Sequence, residues 1–509
     1  MPRFLTQYRQ LFILLSGLLF TLAFAPFNFA YLAPIALSLL FFSWQNTTPL
    51  RAFLMGYLFG IGSFGLGISW VYVSVHDYGG ANSLSAFLIS LLCVLFWGIF
   101  PGIAGYISAK TQLNKTPQLS YISLPVIWIL VEYLRGELVL NGFPWLQIAY
   151  AQLETPLAGY IPLVGAYGTG LISAFSASAL IAIFQMPKYR SVLLATLIST
   201  WGLGAYLNTQ QWTHAIGNPI KVSLLQGNLT QDQKWLPENK AKTLQWYKTT
   251  TEAHWDSKII VWPETAIPAF LSEVNEGFIQ PLSQEAQQHQ STVVVSLPIK
   301  NPETSEIYNA VMSLGQTMGV YKKRHLLPFG EYLPLQPLSG FILNSLAIKL
   351  GQFTAGDLKQ ALLNAVGYPF ITTICYEDAF GELGLININQ AAFLINVTND
   401  AWFGDSIESH QHLQIARMRA LETGRYLLRA TNTGVTAIVD AKGRILQQAP
   451  IFEATSITDN IIPMTGLTPY ARFADKPILI FLISVFLILI ALSNLVNRRD
   501  KNNKSTDAL

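Results

Sequence analysis

Charged residues are scarce in this sequence. Asp, Glu, Lys and Arg make up only 12% of the 509 residues, whereas soluble globular domains carry about 25%. The chain is also 51% hydrophobic, with a mean hydropathy of +0.36, so the composition indicates a membrane protein. The net charge of +3 is small and dispersed, which argues against a nucleic-acid partner.

Cysteine is nearly absent as well. The two cysteines are Cys93 and Cys375, and Cys93 lies in an apolar run, SLLCVLFWGIF, that is typical of buried packing. We expect a membrane boundary to separate the two residues, so a disulfide between them is not expected. A lone thiol outside the cytoplasm is either inert and buried or retained for chemistry, so Cys375 requires an explanation.

Long apolar runs, by contrast, are abundant. A membrane-spanning helix needs about 20 consecutive, mostly apolar residues. Seven such runs occupy 10–26, 28–44, 51–75, 83–109, 117–136, 162–187 and 188–207, and an eighth covers 477–495. We therefore predict a seven-helix transmembrane region at 1–207, an extramembranous domain at 208–476, a transmembrane helix at 477–496 and a tail at 497–509.

The distribution of basic residues predicts the orientation, because Lys and Arg concentrate on the cytoplasmic side of membrane helices. If the N-terminus is cytoplasmic, Arg135 is the only basic residue of the short outer connections. The cytoplasmic connections and tails hold Arg3, Arg9, Arg51, Lys110, Lys115, Lys188, Arg190, Arg498, Arg499, Lys501 and Lys504. This split predicts that both termini are cytoplasmic and that the large domain lies on the outer side.

The extramembranous domain alternates strand and helix patterns. Runs rich in Val, Ile and Leu predict strands at 221–228, 258–264, 292–299, 309–315, 370–377, 391–400 and 434–440. Apolar residues near helical spacing predict helices at 272–289 and 410–428. Nearly continuous apolar strands are usually buried on both faces, so helices should cover the sheet. The expected fold class is a layered α/β domain joined to a multi-pass α-helical membrane bundle.

Two polar residues end predicted strands. Cys375 lies between PFITTIC and YEDAFGELG, a strand pattern followed by a turn into a helix. Backbone N–H groups and a helix N-terminus there would lower the pKa of the thiol and favour the thiolate. Glu264 ends a strand in VWPETAIP, where poor solvation would raise the pKa of its carboxyl and suit a general base. Taken alone, each is more often a buried small side chain or a capping residue.

A cationic segment, YKKRHLLPFGEYLP, occupies 321–334. By itself this pattern is either a solvated charge run or the source of a lysine that stabilises an oxyanion. Glu331 or Glu377 could hold that lysine or the base in position. Lys322 and Lys323 both remain open as the lysine, except that the register relative to Glu331 favours Lys323.

The joint order of these residues resembles the nitrilase (carbon–nitrogen hydrolase) superfamily. WPE is followed 59 residues later by Lys323, and a further 52 residues lead to Cys375 followed by Tyr-Glu. That superfamily uses a Glu–Lys–Cys triad on an α-β-β-α sandwich. With the apolar runs on either side, essentially the whole chain resembles the apolipoprotein N-acyltransferase family. HDYGG at 76–80, NGFPWLQIAYAQ at 141–152 and QGNLTQDQKW at 226–235 add to the resemblance.

The resemblance implies a two-stage acyl transfer in a Gram-negative inner membrane, with the catalytic domain in the periplasm. The sn-1 acyl chain of a phospholipid, commonly phosphatidylethanolamine, would form a thioester on Cys375. It would then pass to the α-amino group of the N-terminal diacylglyceryl-cysteine of an apolipoprotein. Glu264 would be the base, and Lys323 with the backbone N–H of Tyr376 would stabilise the oxyanion. No metal or organic cofactor is implied.

Five further residues match family positions that support the triad or contact the substrates: Glu331, Tyr376, Glu377, Trp235 and Trp145. The apolar segment 335–353 is either a lid that dips into the outer leaflet or a buried core helix. The seven histidines are scattered, and His410 and His412 are expected on the surface or on a helix face.

Three rival functions follow from the same sequence. A membrane-bound amidase of the nitrilase type would release the acyl group to water, but it would have little use for seven helices. A transporter usually carries ionisable residues within its spans, whereas here Glu132 and Arg135 lie near an outer end. A scaffold with an inactive triad is the third possibility.

Overall fold

The computed structural model describes residues 8–334 and 353–506. The apolar segment 335–353, expected as a lid or a core helix, lies outside the described residues apart from Phe353. The chain divides into two compact units. The helical unit comprises Met1–Ser69, Leu88–Gln210 and Asp475–Leu509, and the α/β unit comprises Trp70–Phe87 and Gln211–Ala474.

Apolar helices build the helical unit. They are α1 (Arg9–Thr21), α2 (Leu32–Trp44), α3 (Pro49–Gly67), α4 (Ser83–Lys110), α5 (Pro117–Tyr133), α6 (Ile161–Gln185), α7 (Arg190–Leu207) and the C-terminal helix Lys476–Thr506. Within the described residues, four segments are long and apolar enough to cross a bilayer: Pro49–Gly67, Ser83–Lys110, Pro156–Gln185 and Lys476–Leu495. The membrane character is thereby supported, whereas the number of eight spans stays a prediction.

Small residues bring the helices of this unit close together. A Cβ atom on Gly17 of α1 would lie 2.1 Å from the carbonyl oxygen of Phe59 in α3. One on Gly56 of α3 would lie 2.2 Å from the carbonyl oxygen of Pro101 in α4. Any larger side chain at either position would push the backbones apart. Such close contacts favour helix association in lipid, where burying apolar surface gains little.

Fourteen strands are observed in the described part of the α/β unit: β1 (His214–Ala215), β2 (Ile220–Gln226), β3 (Ile259–Val261), β4 (Thr292–Lys300), β5 (Ile307–Leu314), β6 (Gly319–Lys322), β7 (Leu363–Ala365), β8 (Tyr368–Ile374), β9 (Phe393–Thr398), β10 (Leu427–Thr431), β11 (Ala437–Val439), β12 (Ile445–Gln448), β13 (Thr455–Ile461) and β14 (Met464–Thr465). One six-stranded sheet has the order β13-β2-β3-β4-β5-β6, and the other has the order β12-β11-β10-β9-β8-β7. β2, β3 and β4 run parallel, as do β8, β9 and β10.

Helices cover the outer faces of both sheets. The helices of this unit are α8 (Gln231–Lys234), α9 (Pro237–Glu252), α10 (Leu271–Val274), α11 (Gln280–Gln288), α12 (Glu408–Thr423) and α13 (Pro469–Phe473). One apolar cluster fills the space between the two sheets. A second packs α9, α10 and α11 on the first sheet, and a third packs α12 and α13 on the second. The layers are therefore α-β-β-α, as expected, and each fully buried Val, Ile or Leu contributes about 1.5–3 kcal/mol.

The predicted strands are confirmed, since each overlaps an observed one, but the helix predicted at 410–428 is too long. α12 ends at Thr423 because Gly424 adopts a left-handed conformation with φ of 62°. β10 begins three residues later, at Leu427. The helix predicted at 272–289 is observed as α10 and α11 with a π-helical turn, Asn275–Ile279, between them.

A segment that sequence analysis assigned to the membrane region belongs to the α/β unit. Trp70 opens it, and its indole N–H donates to Oε1 of Gln411 in α12 over 3.3 Å. The same indole packs against the Phe403 ring at a centroid distance of 4.9 Å. The first three residues of the HDYGG motif end a π-helical turn, Ser74–Tyr78, and its two glycines follow that turn.

Candidate active site

The three residues predicted as a triad meet at the ends of strands. Glu264 follows β3, Lys323 directly follows β6, and Cys375 directly follows β8. Glu264 is 7% exposed and Lys323 is 1% exposed, while Cys375 is half-buried. The Lys323 ammonium interacts electrostatically with both the Glu264 carboxyl and the Cys375 thiol. One site therefore contains a buried carboxyl, a buried amine and a half-buried thiol.

Asn309, in β5, links the two acidic residues of this site. Its Nδ2 donates to Glu264 Oε1 over 2.7 Å and to Glu331 Oε1 over 3.2 Å. Glu331 Oε2 in turn lies 2.7 Å from Lys323 Nζ. Sequence analysis included Asn309 only as the first residue of a predicted strand. The one feature of the sequence that indicates a role for Asn309 is a polar amide at a buried strand position. The partners of that amide come from distant parts of the sequence.

The Glu377 carboxylate links the backbone beside Lys323 to the backbone beside Cys375. Its Oε1 accepts the backbone N–H of Arg324 over 2.6 Å, and its Oε2 accepts the backbone N–H of Ile374 over 2.8 Å. Arg324 follows Lys323 and Ile374 precedes Cys375. Because Glu377 is fully buried, these bonds fix the spacing between the two reactive residues.

The backbone at Cys375 is strained. Its φ of 51° lies in the left-handed region, which non-glycine residues rarely adopt. A short 3-10 turn, Cys375–Ala379, follows. The predicted turn into a helix is therefore wrong, since five residues of 3-10 geometry supply no long helix dipole. The turn instead places the thiol at the C-terminal end of β8, where the hydrogen bonds of Glu377 hold it.

Burial dominates the electrostatics of the site. It raises the pKa of the Cys375 thiol to about 12, and the Glu264 carboxylate adds to the effect while Lys323 opposes it. Burial also raises the pKa of Glu264, as expected, although Lys323 opposes that shift. Burial works against the Lys323 ammonium, but Glu331, Cys375 and Glu264 outweigh it and raise its pKa. The expected lowering of the thiol pKa is therefore wrong, and the resting thiol is neutral.

The remaining predicted site residues differ in burial. Tyr376 is 5% exposed and packs edge-on against Phe380 at a centroid distance of 5.2 Å. Trp235 directly follows α8 and is 49% exposed. Trp145 belongs to the helical unit, where it is 2% exposed and its carbonyl oxygen accepts a hydrogen bond from Arg135 over 2.6 Å.

A buried ionic network lies next to the nucleophile turn. His412, on α12, bonds to Asp378 through Nε2 at 2.9 Å and to Asp400 through Nδ1 at 3.0 Å. Arg429, on β10, donates to the same two carboxylates over 3.0 and 3.2 Å. His412 was expected on the surface or on a helix face; it lies on α12, and the surface alternative is wrong, since it is 1% exposed. Its neighbour His410 is half-buried.

Part of this network has the donor types of a metal site. Asp400, Glu408 and His412 place one ligand atom each within 4.8 Å of one another. Both imidazole nitrogens of His412, however, are already engaged by carboxylates. The Arg429 guanidinium also supplies positive charge to Asp400. The arrangement therefore fits an ionic network better than a metal centre.

Comparisons with known proteins agree with the two-part organisation. Residues 16–180 match the apolipoprotein N-acyltransferase N-terminal domain, and residues 221–470 match the carbon–nitrogen hydrolase domain. The apolipoprotein N-acyltransferase of Methylococcus capsulatus is 48% identical over 470 residues, which are 92% of this chain and 93% of the relative. That of Nitrosomonas europaea is 39% identical over 480 residues, 94% of this chain and 95% of the relative.

A solved structure, that of Saccharomyces cerevisiae Nit3, a member of branch 10 of the nitrilase superfamily, is 19% identical with a TM-score of 0.37. The match covers 50% of this chain and 93% of the Nit3 chain. The α-β-β-α sandwich and the domain match define an enzyme of the carbon–nitrogen hydrolase class joined to membrane-type helices. The chain belongs to the apolipoprotein N-acyltransferase family.

Proposed function

We propose that this protein transfers the sn-1 acyl chain of a phospholipid, through a thioester on Cys375, to an apolipoprotein. The acceptor is the α-amino group of the N-terminal diacylglyceryl-cysteine, and phosphatidylethanolamine is the expected donor. The observation that carries the proposal is the buried cluster of Glu264, Lys323 and Cys375. Membership of the family supports the class of acceptor.

In the first half-reaction, Glu264 removes the proton of the Cys375 thiol as the sulfur attacks the ester carbonyl carbon. The Lys323 ammonium and the backbone N–H of Tyr376 stabilise the oxyanion of the tetrahedral intermediate. The intermediate collapses, the ester C–O bond breaks, and Glu264 returns the proton to the departing lysophospholipid oxygen. A thiol that is neutral at rest fits this scheme, because the proton then leaves only when a substrate is present.

In the second half-reaction, the neutral α-amino group of the acceptor attacks the thioester carbonyl carbon. The same two donors stabilise the second oxyanion, and the C–S bond breaks as the amide forms. Glu264 accepts the proton of the amine and passes it to the Cys375 sulfur. One site thus serves both acyl transfers.

The five predicted supporting residues take the following roles. Glu331 holds the ammonium of the catalytic lysine at 2.7 Å. Glu377 sets the distance between the segment that follows β6 and the segment that follows β8, and the backbone N–H of Tyr376 is the oxyanion donor. Trp235, exposed beside the site, contacts lipid substrate, and by resemblance to the family Trp145 does as well.

The setting is a bilayer, since both substrates are lipids and a thioester must be kept from water. We place the protein in a Gram-negative inner membrane, with both termini cytoplasmic and the residues 208–476 in the periplasm as the catalytic domain. The apolar helices and the excess of basic residues in the predicted cytoplasmic connections support this topology. Eight spans complete it.

Intact mass spectrometry of purified protein incubated with phosphatidylethanolamine micelles tests the acyl-enzyme. Wild type should gain the mass of one fatty acyl group, and Cys375→Ala should not. A wild-type protein that gains no mass and releases no fatty acid would overturn the proposal. Steady release of fatty acid in the presence of a diacylated lipopeptide would favour the amidase instead.

A further inference from the structure

A second buried amine lies beside the proposed base, and the mechanism above does not use it. Lys234 is 2% exposed, and its Nζ donates to the backbone carbonyl oxygen of Glu264 over 3.1 Å. It is the last residue of α8 and directly precedes the exposed Trp235. Lysine is almost never fully buried unless it is paired, so this position calls for a charged or polar partner.

The charges around the Glu264 carboxyl indicate what Lys234 does. The groups that act on it come from separate segments: Lys323 after β6, Glu331 in the following loop, Asn309 in β5 and Lys234 at the end of α8. The Cys375 thiol also faces it and is neutral at rest. The carboxyl groups of Glu264, Glu331 and Glu377 therefore all interact with one ammonium, that of Lys323. Lys234 supplies the second positive charge.

The charge state of Lys234 is compatible with this role. Burial lowers its pKa to about 8, while the Glu264 carboxylate opposes that shift. At neutral pH the amine therefore still carries its proton most of the time. A second carboxylate nearby raises the pKa of a buried carboxyl, whereas a nearby cation lowers that pKa.

We propose that Lys234 is a positioning residue of the acyl-transfer site, whose ammonium keeps Glu264 ionised while its hydrogen bond fixes the Glu264 backbone. The proposal rests on the function proposed above, in which an ionised Glu264 takes the thiol proton. Without the Lys234 charge, the Glu331 carboxylate and the burial of the site would favour a protonated Glu264. The same bond anchors α8 and thereby orients Trp235.

The test is the rate of acyl-enzyme formation against pH, from pH 5 to 9, measured by intact mass on the full-length protein with phosphatidylethanolamine. Lys234→Met removes both charge and donor, Lys234→Gln removes the charge and keeps a donor, and Lys234→Arg keeps the charge. Lys240→Met is the matched control, because Lys240, on the nearby α9, forms a half-exposed ion pair with Glu273 of α10. Thermal unfolding of each variant reports folding.

We expect the acid limb of the profile to move to higher pH by about one unit or more in both neutral variants. At a fixed pH on the acid limb, with each rate divided by that protein's own plateau rate, the two neutral variants should then be slower than wild type by about tenfold or more. Lys234→Arg and Lys240→Met should keep the wild-type acid limb. Neutral variants with a uniformly reduced rate and an unmoved acid limb, or an arginine variant shifted as far as they are, would overturn the proposal. Absence of acyl-enzyme in wild type would count against the proposed function instead.

Discussion

The side-chain amide of Asn309 donates a hydrogen bond to the Glu264 carboxylate over 2.7 Å. A donor to the charged form of a carboxyl favours ionisation and fixes its direction. Because the same nitrogen also donates to Glu331, this amide keeps the two carboxylates at a set distance from each other. The position of the base, Glu264, is therefore coupled to that of Glu331, which holds the Lys323 ammonium.

Asn309→Leu should slow acyl-enzyme formation by about 10- to 100-fold, since a hydrogen bond to a charged group contributes about 1.5–3 kcal/mol. Single-turnover kinetics by intact mass would measure the effect. Asn301→Leu is the control, because the Asn301 side chain accepts the backbone N–H of Glu303 at an exposed position. Equal rates for Asn309→Leu and wild type would contradict the coupling.

Glu377→Gln should lower both the melting temperature and the rate. The new amide nitrogen cannot accept the backbone N–H groups that the carboxylate now binds, and the lysine and thiol loops lose their common anchor. A displacement of about 1 Å between reacting groups costs about 100-fold in rate. Differential scanning fluorimetry and single-turnover kinetics provide the two readouts. The exposed Glu382, five residues along, provides the control change Glu382→Gln, which should alter neither.

The Cys375 thiol should react as a neutral thiol in the resting protein. Since burial raises its pKa to about 12, the thiolate fraction, and with it alkylation by iodoacetamide, should rise about tenfold per pH unit between pH 7 and 10. Mass spectrometry of the peptide that contains Cys375 measures this rate. A plateau below pH 8 would mean that the site holds a thiolate at rest.

His412→Gln should destabilise the α/β unit by about 3–5 kcal/mol, because it leaves the Asp378 and Asp400 carboxylates buried with less positive charge. Burial opposes the charged imidazole, but the two carboxylates outweigh it and hold the pKa of His412 well above its usual value. The stabilisation by the imidazolium is therefore complete below about pH 6.5, the unfolded value. It declines as the pH rises toward the folded value.

The measurement is the difference in melting temperature between wild type and His412→Gln, which should be larger at pH 6 than at pH 9. His410→Gln, two residues away and half-buried, is the control and should cost no more than about 1 kcal/mol. A deficit that grows with pH would show that the imidazole is neutral in the folded protein.

Much of this architecture could be predicted from local sequence. Apolar strands that end in Glu264 and Cys375 were recognised because strand periodicity and chemistry occur in the same short segment. The end of α12 was missed because Leu427 and Leu428 continue an apolar pattern that suits either a helix or a strand. The left-handed Gly424 decides between the two.

The polar network around the triad could not be predicted, because its partners are brought together only by the two sheets. Asn309 meets Glu264 from 45 residues away, and His412 meets Asp378 from 34 residues away. The error over the thiol pKa has the same origin. Local sequence indicates backbone N–H groups near Cys375, but the depth of burial and the nearby Glu264 carboxylate are tertiary facts.

Transfer of a labelled acyl chain from donor to acceptor measures both half-reactions on one enzyme. Wild-type protein is loaded from phosphatidylethanolamine that carries a ¹³C-labelled chain at the sn-1 position only, freed of excess lipid, and then mixed with a diacylated lipopeptide. The label should leave Cys375 and appear on the lipopeptide α-amino group in equal amount. Label that stays on the enzyme, or that appears as free fatty acid while the lipopeptide remains unmodified, would contradict the proposed function.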